Sequence, residues 1–166
     1  MIVIESARLQ LSQFQLADAE EVFACITTAI TRFMRWDPPS WSEYLARCEE
    51  RLLVPDPNTL SFVIRRRDTN ECLGMTALEG CSSTSPELGL WMKESAHGQG
   101  FGQEVVGALA EWAHKNLGKK SFIYPVAVQN SASRRIAEKF RGEIVGNRTS
   151  AKYDSVIYRI PWGSDR

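Results

Sequence analysis

Glu87-Leu88-Gly89-Leu90-Trp91-Met92, followed closely by His97-Gly98-Gln99-Gly100-Phe101-Gly102, is the stretch on which the reading of this chain turns. Glu87, Gly89 and Trp91 alternate with Leu88, Leu90 and Met92, the period of a strand with two different faces. The loop after it has glycine at 98, 100 and 102. Beyond it Phe101, Val105, Leu109, Trp112 and Ala113 fall on one helical stripe, with Glu104 and Glu111 off it. Gly118 supplies a C-cap, so the spacing predicts a helix over about 100–116. Glycine lets backbone N–H groups turn toward one point with no Cβ in the way. A helix N-terminus adds unpaired donors and about half a unit of positive charge. No Ser, Thr, Asp or Asn stands there to cap them. Strand, loop and helix therefore describe an anion cradle, although a turn solvated by water reads from the same spacing. The Walker phosphate motif is absent. The dinucleotide fingerprint also fails, because the third glycine is misplaced and Lys119 and Lys120 stand where an acid is needed.

Outward from this core the elements alternate. Arg8–Ser12 alternates like a half-buried strand. Leu16–Glu21 is acidic at a helix start and leads into Val22, Phe23, Ile26 and Ile30 on one face. Asp37-Pro38-Pro39 breaks that helix. A second helix follows Ser42, with Tyr44, Leu45, Cys48 and Leu52 inward. Leu60–Ile64 and Cys72–Leu78 read as a hairpin around the charged turn 65–70. Ser121–Val128 is a strand in which Pro125 calls for a bulge or an edge. Asn130 or Ser131 caps a helix to about Phe140, and strands at 143–146 and 156–160 close the chain. This order suggests one α/β domain over residues 1–166, a mixed central sheet with helices on both faces.

Composition narrows the function. The 166 residues carry 20 basic and 20 acidic side chains, which argues against a dedicated nucleic-acid binder. With only His97 and His114 present, a histidine-rich metal cluster is excluded, and no metal is expected. No apolar run nears the ~20 residues of a membrane span, and the start of the chain lacks a signal-peptide pattern. Cys25, Cys48, Cys72 and Cys81 include no Cys-x-x-Cys pair; they read as reduced thiols of a cytoplasmic protein.

Four segments, 87–92, 98–102, Val128-Gln-Asn-Ser-Ala-Ser133 and 138–146, resemble in order the successive motifs of the GCN5-related N-acetyltransferases, closest to the branch that acetylates N-termini of ribosomal proteins. The resemblance implies a sheet splayed between the strands ending near Met92 and Val128. It implies acetyl-CoA in that opening, pyrophosphate on His97, Gly98, Gln99, Gly100, Phe101 and Gly102, and pantetheine along Trp91 and Met92. Asn130, Ser133 and Arg134 would complete the cofactor site. His97 departs from the family's usual Gln or Arg. Ala137 stands where many members carry a tyrosine acid, and Arg141 where glycine is frequent.

Acetyl transfer needs a deprotonated amine, a stabilised carbonyl oxygen and a proton donor for the leaving thiolate. Glu87 is the candidate base, with Glu79 second; a carboxylate acts here through desolvation or a water relay. A solvated strand-end glutamate is the plain reading of the same residue. Ser133 is the candidate proton donor, one helical turn from Asn130, unless it only bonds back to its own helix. Arg134, Arg135 and Lys139 can reach a 3′-phosphate or form a solvated face. His97 reads as a phosphate contact or a loop histidine, and His114 as a helix C-terminal one. Trp36, Trp41 and Tyr44 form an aromatic wall for the acceptor or pack in the core. The expected activity is acetyl-CoA-dependent acetylation of a primary amine, a protein N-terminus or a small molecule, by a monomer or homodimer. A non-catalytic acyl-CoA-binding module on the same fold is the alternative.

Overall fold

The computed structural model describes residues 1–165. Two strands open it, β1 (Val3–Glu5) and β2 (Leu9–Gln13), followed by helices α1 (Ala19–Ala24), α2 (Thr28–Thr31) and α3 (Trp41–Leu53). Strands β3 (Thr59–Arg66), β4 (Cys72–Glu79) and β5 (Glu87–Met92) lead to α4 (Phe101–Leu117), β6 (Ser121–Ala127) and α5 (Ser131–Lys139). The hairpin β7 (Glu143–Thr149) and β8 (Asp154–Pro161) closes the fold. All eight strands form one sheet in the order β1-β2-β3-β4-β5-β6-β8-β7. Only β5 and β6 run parallel, and a single register pair, Glu87 with Ile123, joins them before they diverge.

Strand alternation sorts side chains to the two faces. Leu88, Met92, Phe122, Tyr124 and Val126 share one core with Phe101, Val105, Leu109 and Ala113 of α4. On the other face Val63, Cys72, Met75 and Trp91 pack with Val22 of α1, Cys25 just beyond its end, and Tyr44 of α3. Glu87 and Gly89 share Trp91's face by the same alternation. Among the described residues no helix is long and apolar enough to cross a membrane.

Several sequence expectations change here. The first helix does not run on to Ile30. It stops at Ala24, and the Thr27 hydroxyl accepts the Ile30 N–H to start a new turn. α3 begins before Ser42, because Ser40 and Glu43 form a capping box; its Leu52 is exposed, not inward. β1 pairs with β2 at one edge and was not expected at all. Pro125 makes no bulge; it meets the other expectation, because it stands on the edge that β6 turns to the gap. It pairs in register with Ile157 of β8. On the other side Ile123 donates its N–H to Pro86, so the N–H that Pro125 lacks would point the same way, into the gap where β5 has already turned aside.

Candidate active site

The opening between β5 and β6 organises the site. Ile123 N–H bonds Pro86 C=O at 3.0 Å, and Lys93 N–H bonds Leu73 C=O at 2.8 Å. Backbone groups of odd-numbered β5 residues, Trp91 included, therefore face β4; Leu88 lies in the last paired stretch with β6, and the groups of Leu90 and Met92 face the gap. A chain-like ligand laid in the gap would meet these free strand-edge groups. Met92 C=O is already taken: His97 Nε2 donates to it at 2.8 Å, fastening the loop to the strand end.

The loop has the conformation its glycines allow. Gly98 and Gly100 sit at φ 74° and 78°, left-handed values that favour glycine. Gly102 faces α5 so closely that a Cβ would come 2.8 Å from Ile136 Cδ1. Gly100 is the N-cap of α4, with no side-chain cap. The first intrahelical bond is Glu104 N–H to Gly100 C=O, so the N–H groups of Phe101, Gly102 and Gln103 have no partner within the helix. These donors and the open backbone around Gly98 fit a pyrophosphate.

Arg8 and Glu104 brace this loop and were missed in the sequence. Arg8 donates through Nη1 to Gln99 C=O at 2.9 Å and through Nε to Glu104 at 2.8 Å, and its guanidinium lies 4.3 Å from the Phe101 ring centroid. Glu104 also accepts from the Ser6 hydroxyl and the Arg8 N–H. Burial pushes the Glu104 carboxyl up, but these bonds outweigh it and hold it below its ordinary 4.5. Both partners lie outside the glycine motif, 96 positions apart, so no local pattern could pair them.

Across the gap, α5 presents the remaining cofactor-side candidates. Asn130 caps it, its side-chain oxygen accepting the Ser133 N–H at 3.2 Å. The Ser133 and Tyr124 hydroxyls hydrogen-bond at 2.6 Å. Arg134 is engaged by its own fold, donating to the Tyr158 hydroxyl and to Val128 C=O, while Arg135 and Lys139 are exposed. Ala137 is fully buried and offers no functional group. His114 donates to Lys119 C=O beyond the end of α4, away from the loop.

On the opposite face Glu87 sits where β5 meets β6, beside Glu79, its register partner on β4. Arg148 of β7 approaches Glu87 at 3.7 Å. These three line an open pocket of about 440 Å³ with Gly80, Ser83, Ser85 and Ile123. Nothing lies within 4 Å of a Cβ built on Gly89, so the floor beyond Glu87 is clear. The aromatic wall divides: Trp41 and Tyr44 pack on Phe23, whereas Trp36 meets Trp91 edge-on at 6.4 Å. Glu87 and Ser133 thus stand on opposite faces of the splayed sheet, with the glycine loop on Ser133's side.

A split parallel strand pair with an uncapped glycine-led helix beside it defines a cleft suited to an extended, phosphate-bearing ligand. Residues 8–143 match the model of the acetyltransferase (GNAT) domain, and the chain belongs to this family of acetyl-CoA-dependent acetyltransferases. It is 24% identical to YoaA, an uncharacterized N-acetyltransferase of Bacillus subtilis (strain 168), over 95% of this chain and 96% of that protein. A GNAT-family acetyltransferase from Bacillus anthracis has the same fold at TM-score 0.83 and 16% identity, over 96% of this chain and 98% of that one. RimL, the ribosomal L7/L12 alpha-N-protein acetyltransferase, in complex with coenzyme A, superposes at TM-score 0.80 and 18% identity, over 96% and 98% of the two chains.

Proposed function

We propose that this chain acetylates a primary amine by direct attack in a ternary complex, with Glu87 acting on the amine and Ser133 on the departing thiol. One observation carries the reading: the two side chains lie on opposite faces of the sheet at the gap that separates β5 from β6. Acetyl-CoA, when bound, supplies the thioester carbonyl that the amine attacks. The loop 97–102 and the start of α4 would hold its pyrophosphate, and the β5 edge at Leu90 and Met92 would align its chain. Glu87 accepts the amine proton directly or through a water, and Ser133 directs a hydrogen bond at the departing sulfur.

A protein N-terminus is the favoured acceptor. An α-amino group ionises near ~7.7–8.0 and a lysine near ~10.4, so the former needs less help from a base. RimL, an alpha-N-protein acetyltransferase of L7/L12, supports the same choice. A small amine is the second reading, favoured by the pocket of about 440 Å³ with its two carboxylates and serines. Thiol release from acetyl-CoA, followed with peptides beginning in Ser or Ala and with a panel of small amines, separates the two. Glu87→Gln should lower kcat by about 10²-fold and leave the dissociation constant for acetyl-CoA unchanged. A wild-type rate would remove Glu87 from the mechanism.

A further inference from the structure

Tyr124 is a buried polar residue with a functional neighbour. It lies on β6 at the edge of the gap, 2% exposed, within the core beneath α4 and α5. Its hydroxyl meets that of Ser133 at 2.6 Å. Burial pushes the phenol up to about 12, with Ser133 pulling only partly in the other direction. Tyr124 therefore stays protonated at physiological pH. Its register partner on β8, Tyr158, serves a different network: Tyr158 donates to Glu138 at 3.0 Å and accepts from Arg134 at 3.1 Å.

Ser133 has one hydrogen and two lone pairs. A phenol is far more acidic than an alkyl hydroxyl, and Tyr124 faces Ser133 from inside the core. The favourable arrangement has Tyr124 donating and Ser133 accepting, which leaves the Ser133 hydrogen free to point outward. A thiol, near ~8.5 for cysteine, is itself a stronger acid than a serine hydroxyl. Ser133 thus has no cause to surrender its proton to a thiolate. What it can do is hold that charge with a hydrogen bond, and a hydroxyl polarised by a second donor does so better.

We infer that Tyr124 is a positioning residue for thiol departure: it donates to Ser133 and aims the Ser133 hydroxyl at the coenzyme A sulfur. The inference rests on Ser133 facing that sulfur, as proposed above. As the C–S bond breaks, its electron pair goes to sulfur, the Ser133 hydrogen bond stabilises the thiolate, and the proton that completes the thiol comes from solvent. Both hydroxyls keep their protons.

The ionisation of the thiol in the binary complex with coenzyme A tests this without an acceptor. The thiolate absorbance of bound coenzyme A is titrated against pH, with the complex of desulfo-coenzyme A as blank. In the wild-type protein the bound thiol should ionise at lower pH than free coenzyme A. Tyr124→Phe keeps the ring and should weaken that acidification about three- to tenfold, with the dissociation constant for desulfo-coenzyme A unmoved. Ser133→Ala should remove it, and the double variant should match Ser133→Ala. An effect of Ser133→Ala with none from Tyr124→Phe overturns the role of Tyr124 and leaves Ser133 standing. Additive effects in the double variant overturn the chain of two hydroxyls. A bound thiol as weakly acidic in the wild type as in free solution, or unmoved by Ser133→Ala, overturns the reading of Ser133 and the inference with it.

Discussion

Arg141 holds φ at 60°, a left-handed value that costs an ordinary residue roughly 1–3 kcal/mol. It follows α5, where its N–H bonds Glu138 C=O and the next N–H, of Gly142, bonds Ala137 C=O at 2.8 Å. Gly142 cannot be replaced easily, since a Cβ there would come 2.8 Å from Ala137 oxygen. Arg141 has no such contact to defend, and the resemblance had placed glycine at this position. Arg141→Gly should therefore relieve the strain against about 0.5–1 kcal/mol of added unfolded-state entropy. The expected net gain of about 1 kcal/mol appears as a rise in Tm of roughly 2–4 °C. A fall in Tm would mean that the arginine side chain makes a compensating contact. Trp91 shows the opposite case, a residue whose identity the sequence singled out but whose geometry it could not supply. Its ring lies on the Glu87 face of the sheet against Trp36, while its backbone belongs to the ladder with β4.

At the scale of elements, local pattern suffices for several. The strand 87–92 and the helix capped by Gly118 follow from period and glycine, and the observed bounds of α4, Phe101–Leu117, differ from expectation by one residue at each end. Asn130 as cap of α5 follows from its side-chain chemistry. What escaped depends on long-range partners. β1 is three residues long and is a strand because β2 pairs with it. The loop brace joins the start of β2 to α4, and neither Arg8 nor Glu104 announces the other. Its pH dependence follows from the sign of the Glu104 shift. The folded carboxyl sits below its ordinary 4.5, so its stabilising effect is complete above that value and is lost as pH falls through the folded one. Below 4.5, calorimetric affinity for coenzyme A should fall as Glu104 takes up its proton and Arg8 is released. Arg8→Ala should weaken binding about fivefold at neutral pH, the loss of about 1 kcal/mol from one hydrogen bond. It should also flatten the acid limb, and an acid limb unchanged in Arg8→Ala would disconnect the brace from the loop.

On the scale of the whole molecule, the zero net charge is a sum of unlike halves: acids outnumber bases by four in residues 1–80, and the reverse holds in 81–166. Folding does not keep them apart. Arg8 crosses to the cofactor loop, and Lys152, at the tip of the β7–β8 hairpin, crosses the other way. Its ammonium donates to Thr31 C=O at 2.8 Å, to Trp36 C=O at 3.1 Å and to the Asp37 carboxylate at 2.7 Å. The Asp37 contact is exposed and contributes little by itself. The two carbonyls matter more, because they fix the segment that carries Trp36 over the face on which Glu87, Gly89 and Trp91 lie. One lysine thereby ties the last hairpin of the chain to the wall of the proposed acceptor site, leaving the glycine loop on the other face untouched. Lys152→Ala should speed hydrogen exchange across residues 31–37 and raise KM for the acceptor several-fold. Protection of loop 97–102 and affinity for coenzyme A should not change, since neither depends on that face. Equal loosening on both faces would show that the hairpin supports the sheet as a whole, and that the wall around Trp36 has no separate hold on the acceptor.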